Sequence, residues 1–209
     1  MTKKLLNTIE KEVIVEQEIQ KSKFLTYLIP IENEEEAKEA LRNIKKDHPK
    51  AAHHCSAFVV GEIERSNDDG EPSSSAGLPM LQVLRGNDLT SVLAVVVRYF
   101  GGIKLGVGGL IRAYGSSVTQ AIEAATILYP QDVYTMELKF PYEYTNDVEM
   151  IVGQYATIMD RIYEDKAIYI IELGDPSKMD VLEDNTKGTI EMEVTQQRID
   201  YLRGGKDNA

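Results

Sequence analysis

Residues 95–115 read VVVRYFGGIKLGVGGLIRAYG and gather three cations, Arg98, Lys104 and Arg112, around the glycines Gly101, Gly102, Gly106, Gly108 and Gly109. Two aromatic residues, Tyr99 and Phe100, stand just ahead of the first glycine. Glycine lets bare backbone amides approach a ligand, and the first turn of a helix carries partial positive charge. A lysine in the turn adds a mobile cation. Such a group would hold an anion, with the aromatic rings stacking on bases. The same residues have a plainer reading, in which the glycines only permit a sharp strand-to-helix reversal and close packing. Phosphate fingerprints do not decide between the two. The stretch contains no P-loop, and Gly106-x-Gly108 is followed by Ile111 where a dinucleotide fingerprint needs a third glycine.

Two further groups carry titratable chemistry. In His53-His54-Cys55 the alternation of a strand puts His53 and Cys55 on one face and His54 on the other. With His48 the one further histidine and no second cysteine, the group falls short of a structural zinc set, and no metal is expected. In Asp68-Asp69-Gly70-Glu71-Pro72 the acids lack the alternating spacing of a calcium loop, and Asp-Gly with Glu-Pro reads as turn punctuation. A different role for Asp69 or Glu71 is to fix a nearby arginine, with Arg98 on the following strand as the partner.

The elements that must position these groups follow from periodicity. Residues 13–19 and 23–31 read as an antiparallel strand pair, and 33–47 as a helix opened by Asn33 and ended before Pro49. Residues 53–63 read as a strand, 64–76 as a polar loop, 77–86 as a short helix and 91–100 as a strand apolar enough to be buried on both faces. A helix is expected from about Leu105 to Leu128, closed by Pro130. Strands at 133–142, 158–164, 167–173 and 188–196, with helices at 145–156 and 176–185, give the β-α-β-β-α-β order of a ferredoxin-like domain. The domains expected are thus 1–130 and 131–200, with 201–209 a flexible tail.

Charge breaks at the same place. The net charge is −11, but residues 1–130 hold 15 Lys and Arg against 17 Asp and Glu, whereas 131–209 hold 8 against 17. Residues 72–122 carry four basic residues against Asp88 alone. An acidic chain repels polyanions as a whole, so any nucleic-acid contact belongs to the locally basic glycine stretch. The single cysteine, the N-terminus without an apolar leader core and the lack of a long apolar run point to a cytoplasmic protein with no membrane partner.

Asp-Asp-Gly-Glu-Pro at 68–72, His-His-x-x-Ala at 53–57 and Arg98-Tyr99-Phe100-Gly101-Gly102-x-x-Leu105-Gly106 together resemble the signature of the IMPACT family in its bacterial branch. The resemblance implies an α+β protein of two domains. The first would be of a ribosomal-protein type with a left-handed βαβ crossover, like domain IV of elongation factor G. The second would be ferredoxin-like, similar to domain V of that factor. It implies association with RNA or the ribosome in the regulation of translation, without evident catalysis, without a cofactor and without DNA specificity. The expected contacts are Arg98, Tyr99, Gly101, Gly102, Lys104, Gly106, Gly108, Gly109 and Arg112, supported by His53, His54, Asp69, Gly70 and Glu71. The alternative is an enzyme or binding protein for a small phosphate-containing substrate, using Asp69, Glu71, Arg98 and the glycine turn. A protein partner for the acidic C-terminal domain is a further expectation.

Overall fold

A strand whose side chains alternate between two helix-covered faces has no solvent side, so it tolerates no polar position. The run Val92–Val97 obeys this rule. In the computed structural model, which describes residues 6–203, it lies at the centre of an antiparallel sheet. The elements of the first part of the chain are β1 (Thr8–Ile9), β2 (Val13–Ile19), β3 (Ser22–Pro30), α1 (Glu34–Asp47), β4 (His53–Val60), β5 (Ile63–Asn67), α2 (Gly77–Gly86), β6 (Val92–Tyr99) and α3 (Gly106–Ala124). The sheet order is β2-β3-β6-β4-β5. Val92, Ala94 and Val96 face a core with Met80 and Leu84 of α2 and Leu110, Tyr114 and Val118 of α3. Leu93, Val95 and Val97 face a second core with Ala37 and Ile44 of α1.

Helix α1 starts as its sequence predicts. Asn33 accepts from the Glu36 amide at 2.9 Å, the Glu36 carboxylate accepts from the Glu32 amide at 2.7 Å, and Lys45 and Lys46 sit in the last turn. The expected single strand at 53–63 and loop at 64–76 need correction. A turn at Gly61-Glu62 reverses the chain, and β5 pairs back on β4 from Val60↔Ile63 to Ser56↔Asn67. The period-2 signal of 63–67 is weak because β5 is a largely exposed edge strand.

The second part comprises β7 (Ile127–Phe140), α4 (Thr145–Tyr155), β8 (Ala156–Tyr163), β9 (Ala167–Leu173), a 3-10 turn at Pro176–Met179 continued by α5 (Val181–Asn185), and β10 (Glu191–Arg203). The strand order is β10-β7-β9-β8, and β7 and β8 both pair antiparallel with β9. Its core of Met136, Leu138, Phe140, Val148, Val152, Tyr169, Ile171 and Leu182 joins one sheet face to its helices.

The chain forms two compact units. One runs to Tyr129 and takes in Arg203, and the other is Pro130–Leu202. Two sequence-based boundaries shift. Helix α3 ends at Ala124, and Ile127 and Leu128 pair with Ile9 and Thr8 in strand register. Tyr201–Arg203 belong to β10, where Arg203 Nε donates to Glu10 at 2.8 Å, so the expected tail does not begin at 201; its remainder, 204–209, lies outside the described residues. Among the described residues no helix is long and apolar enough to cross a membrane.

Candidate functional site

The reversal between β6 and α3 depends on two glycines for different reasons. At Gly101 a β-carbon would run into the Lys21 carbonyl and the Ser22 amide, and the Gly101 amide donates to Ser22 Oγ at 3.2 Å. This glycine serves close packing. At Gly106 the backbone φ is +69°, a left-handed conformation that glycine adopts without a side-chain penalty, and the helix starts there. Leu105 at the N-cap supplies no side-chain acceptor, and the first turn holds no acidic residue. Gly106, Val107 and Gly108 are exposed. The positive end of this 19-residue helix is thus offset neither by a side-chain cap nor by an acid of its own first turn.

That helix end forms one wall of a cleft of about 520 Å³, a volume suited to a small organic ligand or one nucleotide. Lys104, Phe100, Leu105, Val107 and Leu110 line it from the turn and helix; Ala52, His53, Glu71, Pro72 and Arg98 line it from the sheet side. Phe100 is 52% exposed and lies beside the Arg98 guanidinium, 5.6 Å from its ring centre.

Behind the cleft is a buried polar group. Arg98 is only 5% exposed, and its Nη1 donates to Glu71 Oε1 at 2.6 Å. Tyr114 Oη donates to the same oxygen at 2.7 Å, and burial first, with Cys55 and Glu71 beside it, pushes the phenol far above its ordinary range. Arg98 Nη2 reaches Ser22 Oγ at 3.4 Å, while its buried Nε finds no acceptor among the described residues. Cys55 is buried beneath this group, and desolvation pushes its thiol up to about 12. His53 Nδ1 is 2.8 Å from the Asp69 carbonyl oxygen, and its Nε2 faces Glu71 Oε2 at 3.8 Å.

The acidic turn builds this wall. Asp68 accepts from the amides of Ser74, Ala76 and Gly77 at 2.8–3.0 Å and so caps α2. Asp69 accepts from the His54 amide at 2.7 Å and pairs with Lys45 at 2.7 Å. Burial raises the Asp69 pKa, but the Lys45 and His54 contacts outweigh it and the net direction is down. Gly70, at φ +90°, lies against the His53 ring. Among the described residues no three His, Cys, Asp or Glu side chains group to hold a metal ion.

The structure sorts the expected contacts. Lys104, Gly106, His53, Glu71 and Arg98 meet in the cleft, with Gly108 and Gly109 following in the first helical turns. Arg98 is not a free phosphate ligand, because Glu71 already neutralises it; the reading of Glu71 as an arginine partner describes the pair. Tyr99 leaves the site. It packs with the α1-side core, and its hydroxyl meets His48 Nδ1 at 2.8 Å, as alternation from Arg98 requires. His54 also points away, its Nε2 3.1 Å from the His48 carbonyl. Arg112 is exposed but does not line the cleft; its guanidinium lies near Gly108. Gly102 is exposed at φ +86° and shapes the turn without lining the cleft. Tyr114 and Ser22 were missed. Tyr114 follows Leu110 by four residues on the inward face of α3, and that spacing was the available signal.

Fold and site thus define a two-unit α+β protein with a partly apolar cleft at the start of a long helix. The Impact N-terminal domain profile matches residues 20–122. The protein described as IMPACT family member YvyE of Bacillus subtilis (strain 168) is 45% identical over 157 residues, 74% of this chain and 70% of that one. IMPACT family member YigZ of Escherichia coli (strain K12) is 41% identical over 147 residues, covering 68% of this chain and 72% of the relative. The chain belongs to the IMPACT family. A solved crystal structure, described only as that of a hypothetical protein, is similar with a TM-score of 0.57 and 33% identity over 91% of this chain and 97% of the other.

Proposed function

We propose that the cleft holds one phosphate-linked unit of single-stranded RNA, and that the protein acts on translation through RNA or a ribosomal surface. One observation carries this reading: the uncapped α3 N-terminus and Lys104 share a nucleotide-sized cleft with the exposed Phe100 ring. Phosphate suits the amides and the lysine, and a base suits the ring. The Arg98–Glu71 pair is neutral overall, so among the described residues that line the cleft Lys104 is the mobile cation that remains. The likeness to the ribosome-facing domains IV and V of elongation factor G that the family resemblance implies is in keeping with the same reading.

Filter binding of an RNA oligonucleotide at several salt concentrations tests it. Binding should weaken steeply with salt, and Lys104→Ala should lower the slope of log affinity against log salt by roughly 0.7, the contribution of one single-strand phosphate contact. Salt-insensitive binding, or binding unchanged in the variant, removes the assignment. A second reading, an enzyme or binder for a small phosphate-containing substrate, draws on His53 and Glu71 in the same cleft. A small molecule copurifying in stoichiometric amount would favour it.

A further inference from the structure

His53 faces the cleft in a defined tautomer. Its Nδ1 lies 2.8 Å from the Asp69 carbonyl oxygen. A carbonyl only accepts, so Nδ1 carries the proton and, in the neutral ring, Nε2 presents a lone pair. Opposite that lone pair is Glu71 Oε2, 3.8 Å away and too far for a hydrogen bond. The other carboxylate oxygen, Oε1, already accepts from Arg98 Nη1 and Tyr114 Oη. No described residue donates to Oε2. Among the described residues the cleft therefore holds two acceptors side by side with no donor for either, on a wall where Arg98 Nε in turn lacks an acceptor. A phosphodiester, which has no O–H of its own, suits the helix amides and Lys104 but gives these acceptors nothing. What they lack is a hydroxyl beside the anion.

Resting on the reading above, we infer that the 2′-hydroxyl of a ribose donates its one hydrogen between His53 Nε2 and Glu71 Oε2, so that the cleft selects ribonucleotides over deoxyribonucleotides. The division of labour follows from chemistry. The helix start and Lys104 hold phosphate, which both sugars carry, while the His53–Glu71 pair meets the hydroxyl that only ribose has. Leaving a partly buried charged acceptor without its donor weakens binding by about tenfold or more. Asp69 and Gly70 act as positioning residues, since the carbonyl of Asp69 fixes the tautomer and Gly70 takes the φ of +90° with which the turn passes the ring.

Competition binding with the full chain tests the inference through the ligand, so folding is not at stake. Three oligonucleotides of one sequence are compared: ribose, deoxyribose and 2′-fluoro, the last keeping the ribose pucker but unable to donate. The ribo form should bind at least about tenfold more tightly than either of the others. His53→Ala should bring the three to within about twofold while keeping the salt dependence. Equal affinities in the wild type, or ribo and 2′-fluoro forms binding alike, overturn the sugar assignment; persisting Lys104-dependent salt sensitivity would then leave the phosphate cradle standing. Loss of that sensitivity as well overturns both. A ribonucleoside 5′-monophosphate that displaces the oligonucleotide, when its 2′-deoxy counterpart does not, supports the same contact with a free nucleotide as the source.

Discussion

Arg98 and Glu71 are both almost wholly buried, their side chains 6% and 4% exposed, and they meet at 2.6 Å. Removing two charges from water is costly, and the pair persists because each group is compensated by the other. Tyr114 adds a second donor to the carboxylate, so the loss of Glu71 strands a guanidinium and a phenol together. Glu71→Ala should therefore destabilise the protein by about 3–5 kcal/mol, read from urea denaturation midpoints. A change below about 1 kcal/mol would mean that water reaches Arg98 and the site is open where the structure closes it. Lys104 is of the opposite kind. It is exposed, lies in a turn, and its replacement belongs to binding and not to stability.

At the scale of elements, the β6-to-α3 reversal divides its glycines between two tasks. Gly101 has no room for a β-carbon because the turn between β2 and β3 packs on it through backbone atoms, which cannot rotate aside. Gly102, at φ +86°, has open space around it and needs glycine only for its conformation. Gly101→Ala should force the two turns apart and cost more than 2 kcal/mol, whereas Gly102→Ala should cost about 1–2 kcal/mol of backbone strain. Thermal melts of the two variants, compared with the parent, decide this. If Gly101→Ala melts no lower than Gly102→Ala, the packed approach of the two turns is wrong. Since Gly101 also anchors the start of the loop that carries Lys104, its variant should lose the proposed RNA binding along with stability.

For the whole molecule, the cores are separate. The residues around the first sheet and those around Leu138, Phe140 and Tyr169 form distinct clusters, and the cleft belongs to the first unit alone. Leu138 is fully buried in the second unit, so Leu138→Ala should cost that unit about 2–5 kcal/mol. The proposed RNA affinity, measured well below the melting transition, should stay within about twofold of the parent, because the cleft and that core belong to different units. A tenfold loss would show that the second unit takes part in binding. Charge is divided in the same sense: residues 131–209 carry a net −9 and residues 1–130 a net −2, so the proposed contact with a polyanion would rest on local cations and helix amides and not on overall attraction.

The order of strands and helices in the second unit, the burial of β6 on both faces, the capped start of α1 and the glycine reversal were all legible in the chain. Each rests on periodicity or turn chemistry within a few neighbouring residues. The departure of Tyr99, expected among the contacts, was missed, although its place after Arg98 on a strand turns it to the other face. The β4–β5 hairpin and the true end of α3 were less legible, since an exposed edge strand has little apolar rhythm and Ile127 is drawn into a sheet by Ile9 far away in the sequence. The state of Arg98 and the acceptor pair on the wall belonged to the tertiary structure. The register that sets His53 opposite Arg98, and the turn that brings Glu71 to the buried guanidinium, join segments 45 and 27 residues apart. Local spacing encodes what a segment becomes; which distant charge neutralises it depends on the register in which the strands pair.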